Sequence, residues 1–363
     1  MNASVLAVVG ARPNFVKSAP VIAALEQVEG ISVRLLHTGQ HYDRALSDGF
    51  IERLGMREPD ANLGVGSGTH GQQTAAALTG VEADLMEHPA DLVLVAGDVN
   101  STLAAALAAT KLHVGVAHIE SGLRSRDWEM PEEMNRVVTD RISDVLLCTS
   151  PDAVDNRAGE GILGDGVQLV GNTMIDSLFR LLEDVNRPAV LGRNAVKSRE
   201  FVLVTLHRPA LVDDPESLGA TMKVLAGLSD SIPVIFPVHP RTRARLEGSG
   251  AGWGKVMLTP PMDYDDFIAL EAEARLVITD SGGVQEETSV LGTPCLTYRT
   301  TTERPITIEL GTNELVGVDP TALSEAAERS LTADLPEKPP EIPLWDGKAG
   351  PRAAAAIGSF LAR

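Results

Sequence analysis

The sequence predicts an α/β chain of two Rossmann-like domains facing across a cleft, and three observations predict it. Short runs rich in Val, Leu and Ile alternate with stretches of helical periodicity, the pattern of a parallel sheet covered on both faces. The series begins again after Asn172. Polar residues gather where the apolar runs end, the edge at which parallel sheets bind ligands.

In the first series the strands read Val5–Val9, Val33–Leu36, Leu92–Ala96, Val114–Ile119, Val145–Cys148 and Val167–Val170. Helical periodicity lies between them at Ala19–Leu25 and Thr102–Ala109, and a helix runs from Pro131, which suits a first turn, toward Ile142. The second series reads Phe201–Leu206, Pro233–Val238, Lys255–Leu258, Leu276–Thr279 and Cys295–Tyr298. A Pro-rich stretch from Pro336 through Pro343 forms a crossing or linker segment before a last helix, Pro351–Leu361.

With 363 residues and roughly 150 per domain, two domains are expected, residues 1–171 and 172–349. Hydrophobic residues at 44% and charged residues at 22% are ordinary for a globular chain and exclude a disordered or fibrous one. The formal charge of −19 repels nucleic acid and anionic membrane, so a phosphate ligand has to be held by local groups. No run approaches the roughly 20 apolar residues that span a bilayer, and Val5–Val9 is too short for a signal segment. Cys148 and Cys295 stand far apart in apolar runs and without metal-ligand spacing, which predicts two buried free thiols, no metal, and a reducing cytoplasm.

Several strand ends carry chemistry. Gly10-Ala11-Arg12-Pro13-Asn14-Phe15-Val16-Lys17 joins a glycine turn to a helix start with two cations, which suits a phosphate. Gly97-Asp98 and His118-Ile119-Glu120 end two apolar strands and put Asp98 and Glu120 on one rim, while Glu132 opens the helix after Pro131. Helix capping or dipole effects would account for any one of these acids; the cluster points instead to a general acid and base. His207 and His239 end strands of the second series and can carry protons or meet phosphate. Asp280-Ser281-Gly282-Gly283 runs from a strand into a helix, an anion cradle with Glu287 farther along to take a ribose diol. Gly66-Ser67-Gly68-Thr69-His70-Gly71 fits the dinucleotide pattern, but the charged, Pro-containing segment before it cannot be a buried strand, so a Gly-rich loop is expected.

Together with Gly171-Asn172-Thr173, Pro237-Val238-His239, Val284-Gln285-Glu286-Glu287 and Thr302-Glu303-Arg304-Pro305, these motifs resemble, in order along nearly the whole chain, the non-hydrolysing UDP-N-acetylglucosamine 2-epimerases. The resemblance implies the glycosyltransferase-B (GT-B) fold, a helix at 350–363 packing back on the first domain, a homodimer, a UDP-sugar substrate and no cofactor. It implies Asp98, Glu120 and Glu132 as the carboxylates that move the C2 proton, and His207 as the group that assists departure of the diphosphate. Arg12, Ser281, Gly282 and Gly283 match phosphate-binding positions, Phe267 the position beside uracil, and Glu287 the ribose ligand. Lys17, Arg136, His239 and Arg304 are further cleft candidates.

Elimination of UDP to a glycal is the route these residues equip, because the C2 proton has no neighbouring carbonyl and a nicotinamide site is not indicated. Thr38-Gly39-Gln40-His41 keeps only part of the activating second site common in bacterial members. Tyr42-Asp43, the loop Gly64–Gly68 and Ala210-Leu211 depart from that site, so hyperbolic kinetics are expected. A glycosyltransferase, a hydrolysing enzyme, an epimerase of a modified UDP-sugar, such as a 2,3-diacetamido uronate, and a non-catalytic nucleotide-sugar sensor are the competing readings.

Overall fold

In the computed structural model, residues 2–39, 51–248 and 252–363 are described. The chain forms two compact units, Met1–Phe179 with Pro343–Arg363, and Arg180–Ile342.

The first unit is built on seven parallel strands: β1 (Ala3–Val9), β2 (Ile31–His37), β3 (Ala61–Asn62), β4 (Leu92–Ala96), β5 (Gly115–Ser121), β6 (Val145–Cys148) and β7 (Val167–Leu169). Their order is β3-β2-β1-β4-β5-β6-β7, so the direction of winding reverses between β1 and β4. All five residues of β4 are buried, as a strand with helices on both faces requires. Leu6, Val8, Val93 and Val95 pack on Ala105, Ala106, Ala108 and Ala109 of the Asn100–Lys111 helix, whose small side chains let it lie close to the sheet.

The last helix, Ala349–Leu361, packs on the Arg12–Leu25 helix, and a Cβ at Gly350 would come within 2.6 Å of Pro20 O. Trp345 secures the returning segment by donating its indole N–H to Thr149 O at 2.9 Å. Helix Thr173–Asp184 starts in this unit: Ser177 donates to Val16 O (2.6 Å), and Asp176 accepts the backbone N–H groups of Ala349 and Gly350 (3.1 and 2.7 Å).

The second unit repeats the plan with β8 (Val202–Thr205), β9 (Val234–Pro237), β10 (Met257–Thr259), β11 (Leu276–Thr279), β12 (Cys295–Thr297) and β13 (Asn313–Leu315). The order β10-β9-β8-β11-β12-β13 reverses between β8 and β11. Phe201, Leu203 and Val277 fill one face of this sheet and Val204, Phe236 and Ile278 the other. The fold is therefore α/β with two parallel sheets, as expected.

Two strands carry no periodic signal. β3 has two residues on an edge, and β13 has three. The Gly-rich segment at 64–69 is a loop, but Thr69 and Gln72 form a capping box that starts the His70–Glu87 helix inside the G-x-G-x-x-G stretch. Cys148 and Cys295 are free and buried, and burial pushes both thiols up to about 12.

Candidate active site

Each sheet's reversal point carries a cluster of polar groups at the carboxyl ends of its strands, where the strands diverge and leave a crevice. In the first unit Asn14 ties the two sides of that point together. Its Oδ1 accepts the N–H groups of Gly10 and Ala11 (3.1 and 3.0 Å), and its Nδ2 donates to Ala96 O at the end of β4 (2.7 Å). Gly10 has to be glycine here, because a Cβ would lie 2.1 Å from Ser101 Oγ.

Glu120 sits within β5 with φ of +66°, a left-handed conformation uncommon for a residue with a Cβ. The register with β6 slips between Ile119 and Ser121, so Glu120 is left out of the ladder. Its buried carboxylate is ion-paired with buried Lys17. Gly97, also at positive φ, makes room for this pair: a Cβ there would be 3.1 Å from Lys17 Nζ and 3.4 Å from Glu120 Oε2.

Asp98 follows directly, with 27% of its side chain exposed, and is ion-paired with Arg136. Arg136 also binds Glu133 (2.6 Å), whose carboxylate accepts Ser125 N–H, Ser125 O–H and Arg126 N–H at 2.9–3.0 Å. Glu132 is half-buried in the same first helical turn. It makes no hydrogen bond or ion pair among the described residues. Arg12 is exposed at the start of its helix. The fold thus brings Lys17, Asp98, Glu120 and Arg136 into two adjoining ion pairs on one rim.

Behind that rim lies a layer that the sequence did not single out. His118, fully buried, turns Nε2 to Gly97 O and Nδ1 to Asp140 Oδ1, both at 2.7 Å. Asp140 further accepts Gly122 N–H (3.2 Å) and Arg124 (2.8 Å) and is ion-paired with Arg157 (2.9 Å). Charged groups this deeply buried are stable only as satisfied pairs. This network fixes the two turns, at 97 and 122, between which Glu120 is held.

In the second unit, Asp280 follows β11 and is the hub. Its Oδ2 accepts the N–H groups of His207 and Arg208 (both 2.8 Å), and its Oδ1 is ion-paired with His207 Nδ1 (2.9 Å). Burial pushes the Asp280 carboxyl up, but the His207 hydrogen bond and charge and the two backbone N–H groups outweigh it and hold the carboxyl below its ordinary value. The same bond raises His207 above the ordinary imidazole value. With Nδ1 committed, Nε2 of the 60% exposed ring is the atom left to carry a proton outward.

Helix Gly282–Leu291 begins beside this pair, with Ser281 as its N-cap and the N–H groups of Gly282 and Gly283 at its positive end. A Cβ at Gly282 would lie 2.5 Å from Arg304 Nη1. Arg304, buried, is ion-paired with Glu303 and with Glu286 (2.9 Å). Glu287, farther along the helix and buried, accepts the Tyr264 hydroxyl. Phe267 is half-exposed and packs on the core cluster of Phe201 and Val277. His239 is exposed after β9. Gln40, His41, Tyr42 and Asp43 of the expected activating segment lie outside the described residues. Among the described residues, no group of three His, Cys, Asp or Glu side chains could hold a metal ion, and no helix is long and apolar enough to cross a membrane.

A family model for UDP-N-acetylglucosamine 2-epimerase matches residues 23–358. The chain belongs to the UDP-N-acetylglucosamine 2-epimerase family, and it is an epimerase. It is 39% identical to a UDP-2,3-diacetamido-2,3-dideoxy-D-glucuronate 2-epimerase of Pseudomonas aeruginosa, over 99% of both chains. It is also 39% identical to a UDP-N-acetylglucosamine 2-epimerase of Methanocaldococcus jannaschii, over 95% of this chain and 96% of that one. The crystal structure of the M. jannaschii UDP-GlcNAc 2-epimerase in complex with UDP-GlcNAc and UDP matches with a TM-score of 0.88 at 38% identity, over 99% of each chain. A Neisseria meningitidis UDP-GlcNAc 2-epimerase bound to UDP-GlcNAc matches at 0.87 and 28%, again over 99% of each. These neighbours are GT-B-like.

Proposed function

We propose that the protein interconverts UDP-N-acetylglucosamine and UDP-N-acetylmannosamine by eliminating UDP to a 2-acetamidoglucal and adding it back with inversion at C2. In this mechanism one carboxylate of the Asp98, Glu120, Glu132 set removes the C2 proton while the C1–O bond to UDP breaks, and both electron pairs are accounted for by the new C1–C2 double bond and the departing phosphate oxygen. Protonation of C2 on the opposite face and return of UDP to C1 give the epimer. His207, its charge favoured by Asp280, neutralises the diphosphate as it leaves. Ser281, Gly282, Gly283 and Arg12 hold the phosphates, Glu287 the ribose and Phe267 the uracil; Lys17, Arg136, His239 and Arg304 complete the set.

The observation that carries this reading is the pairing of Glu120 with Lys17 beside Asp98 with Arg136. Two carboxylates are fixed on one rim by the ends of two neighbouring strands, one of them through a strained backbone, and such strain persists where the surroundings enforce it. The relative at 39% identity that acts on a diacetamido glucuronate favours a second reading, the same chemistry on that modified sugar. The two buried free thiols accord with a cytoplasmic enzyme. We further propose that it works there as a homodimer supplying cell-surface polysaccharide synthesis.

Proton NMR in deuterated water tests the proposal. With UDP-N-acetylglucosamine, the manno epimer should appear with deuterium at C2 and little free UDP. Accumulation of UDP and free sugar would indicate hydrolysis instead. Inactivity on this sugar with exchange on the diacetamido uronate would select the second reading.

A further inference from the structure

The mechanism leaves one buried acid unused. Helix Tyr264–Glu273 packs against helix Gly282–Leu291 and brings Glu271, which has no exposed surface, against Glu287, also buried. Neither Glu271 oxygen meets an amide, guanidinium, ammonium or hydroxyl donor among the described residues. The charged group that acts on it is the neighbouring Glu287 carboxyl.

Two ionised carboxylates repel, so a bond between them requires that one carry a proton. Burial first, and then the charge of Glu287, push the Glu271 carboxyl well above the ordinary carboxylate range. The Tyr264 hydroxyl donates to Glu287 Oε1, which makes Glu287 the acceptor of the pair and Glu271 the donor. Among the described residues the Cys295 thiol on β12 also faces Glu271, itself pushed up to about 12 chiefly by burial and so neutral. Thr293 Oγ pins the backbone carbonyl of Glu271 at 3.0 Å and fixes the end of its helix.

We propose that Glu271 is a positioning residue for nucleotide recognition: its carboxylic O–H and the Tyr264 hydroxyl together orient the Glu287 carboxylate toward the ribose hydroxyls of a nucleoside diphosphate. This rests on Glu287 being the ribose ligand, as proposed above. A carboxylate suits the task because ribose hydroxyls donate. An ionised Glu271 would push that carboxylate out of line; a neutral one holds it.

Calorimetric titration of the full-length protein with UDP and with 2′-deoxy-UDP tests this. Wild type should prefer UDP by about tenfold, the worth of one hydrogen bond to a charged group. That preference should weaken as pH is raised into the alkaline range and the proton of Glu271 is lost. Glu271→Gln keeps a donor and removes the titration, so it should retain the preference and show no alkaline weakening. Glu271→Ala should lose the preference. The role of Glu271 is overturned if a folded Glu271→Ala keeps the full preference, or if wild type and Glu271→Gln share one pH profile. Glu287→Gln separates the two levels. If it binds both nucleotides as wild type does, the ribose reading itself fails; if it loses the preference while both Glu271 variants keep it, only the role of Glu271 fails.

Discussion

Asp280→Asn is the perturbation that isolates the charge on which His207 depends. The amide is isosteric, and its oxygen can still accept the N–H groups of His207 and Arg208, now 2.8 Å from Asp280 Oδ2. What changes is the bond to His207 Nδ1. In wild type a carboxylate oxygen lies 2.9 Å from Nδ1; in the variant an NH2 group faces Nδ1, which must then accept. The imidazolium loses the partner that raises its pKa, so less of it is protonated near neutral pH.

A hydrogen bond to a charged group contributes about 1.5–3 kcal/mol. The His207 side chain is 60% exposed and solvent screens the pair, so the lower end applies, about 1.5 kcal/mol, or about tenfold in rate. Initial rates of UDP-N-acetylglucosamine conversion, measured by NMR across pH, should show kcat/KM down about tenfold near pH 7, with the loss growing toward alkaline pH. Rates within about twofold of wild type with an unchanged pH profile would refute the role of the His207–Asp280 pair.

Four other outcomes follow from the same geometry. Asp98→Asn, Glu120→Gln and Glu132→Gln should each lower kcat by about 100-fold or more while UDP still binds by calorimetry, and full activity in any one removes that residue from the mechanism. Gly97→Ala places a Cβ 3.1 Å from Lys17 Nζ at a φ of +66°, so it should cost about 1–2 kcal/mol in denaturant unfolding as well as activity; wild-type stability would show that the turn relaxes freely. Because His207 is raised in the fold, its stabilisation is complete below its unfolded value of about 6.5 and is lost as pH rises through the folded one. The Tm difference between wild type and His207→Asn should therefore be larger near pH 6 than near pH 9, and a difference constant with pH would contradict this. Finally, rates should rise hyperbolically with UDP-N-acetylglucosamine, and a sigmoidal curve would restore substrate activation.

How much of this was legible in the sequence follows from the range of each interaction. Apolar runs mark the buried strands because a strand covered on both faces must be apolar throughout, as in Leu92–Ala96. The Pro131–Ile142 helix has the bounds its first-turn Pro and acidic residues suggested. Strand β13, three residues long, offers no period to read.

At the candidate site, Asp98 and Glu120 stood out because they end apolar strands. Lys17 and Arg136 were named as cleft candidates, but their pairing with these acids was not legible, since Arg136 is 38 residues from Asp98 and is brought to it by topology alone. His118 and Asp140, 22 residues apart, form the buried support under Gly97 and Gly122 for the same reason. Asp280 was visible as part of an anion-binding turn, but its bond to His207 spans neighbouring strands β8 and β11 and leaves no local trace. The left-handed backbone of Glu120 has no sequence signature, because nothing about glutamate favours it.

The central claim is that the C1–O bond of the UDP-sugar breaks during each epimerisation. Substrate carrying a heavy oxygen isotope between C1 and the β-phosphorus tests it directly. If UDP departs and returns, its terminal phosphate rotates before the bond re-forms, and phosphorus NMR will find the label spread into the non-bridging β-phosphate oxygens of the recovered sugar nucleotide. Epimerisation with the label held wholly in the bridge would mean that the bond never breaks, and would contradict elimination.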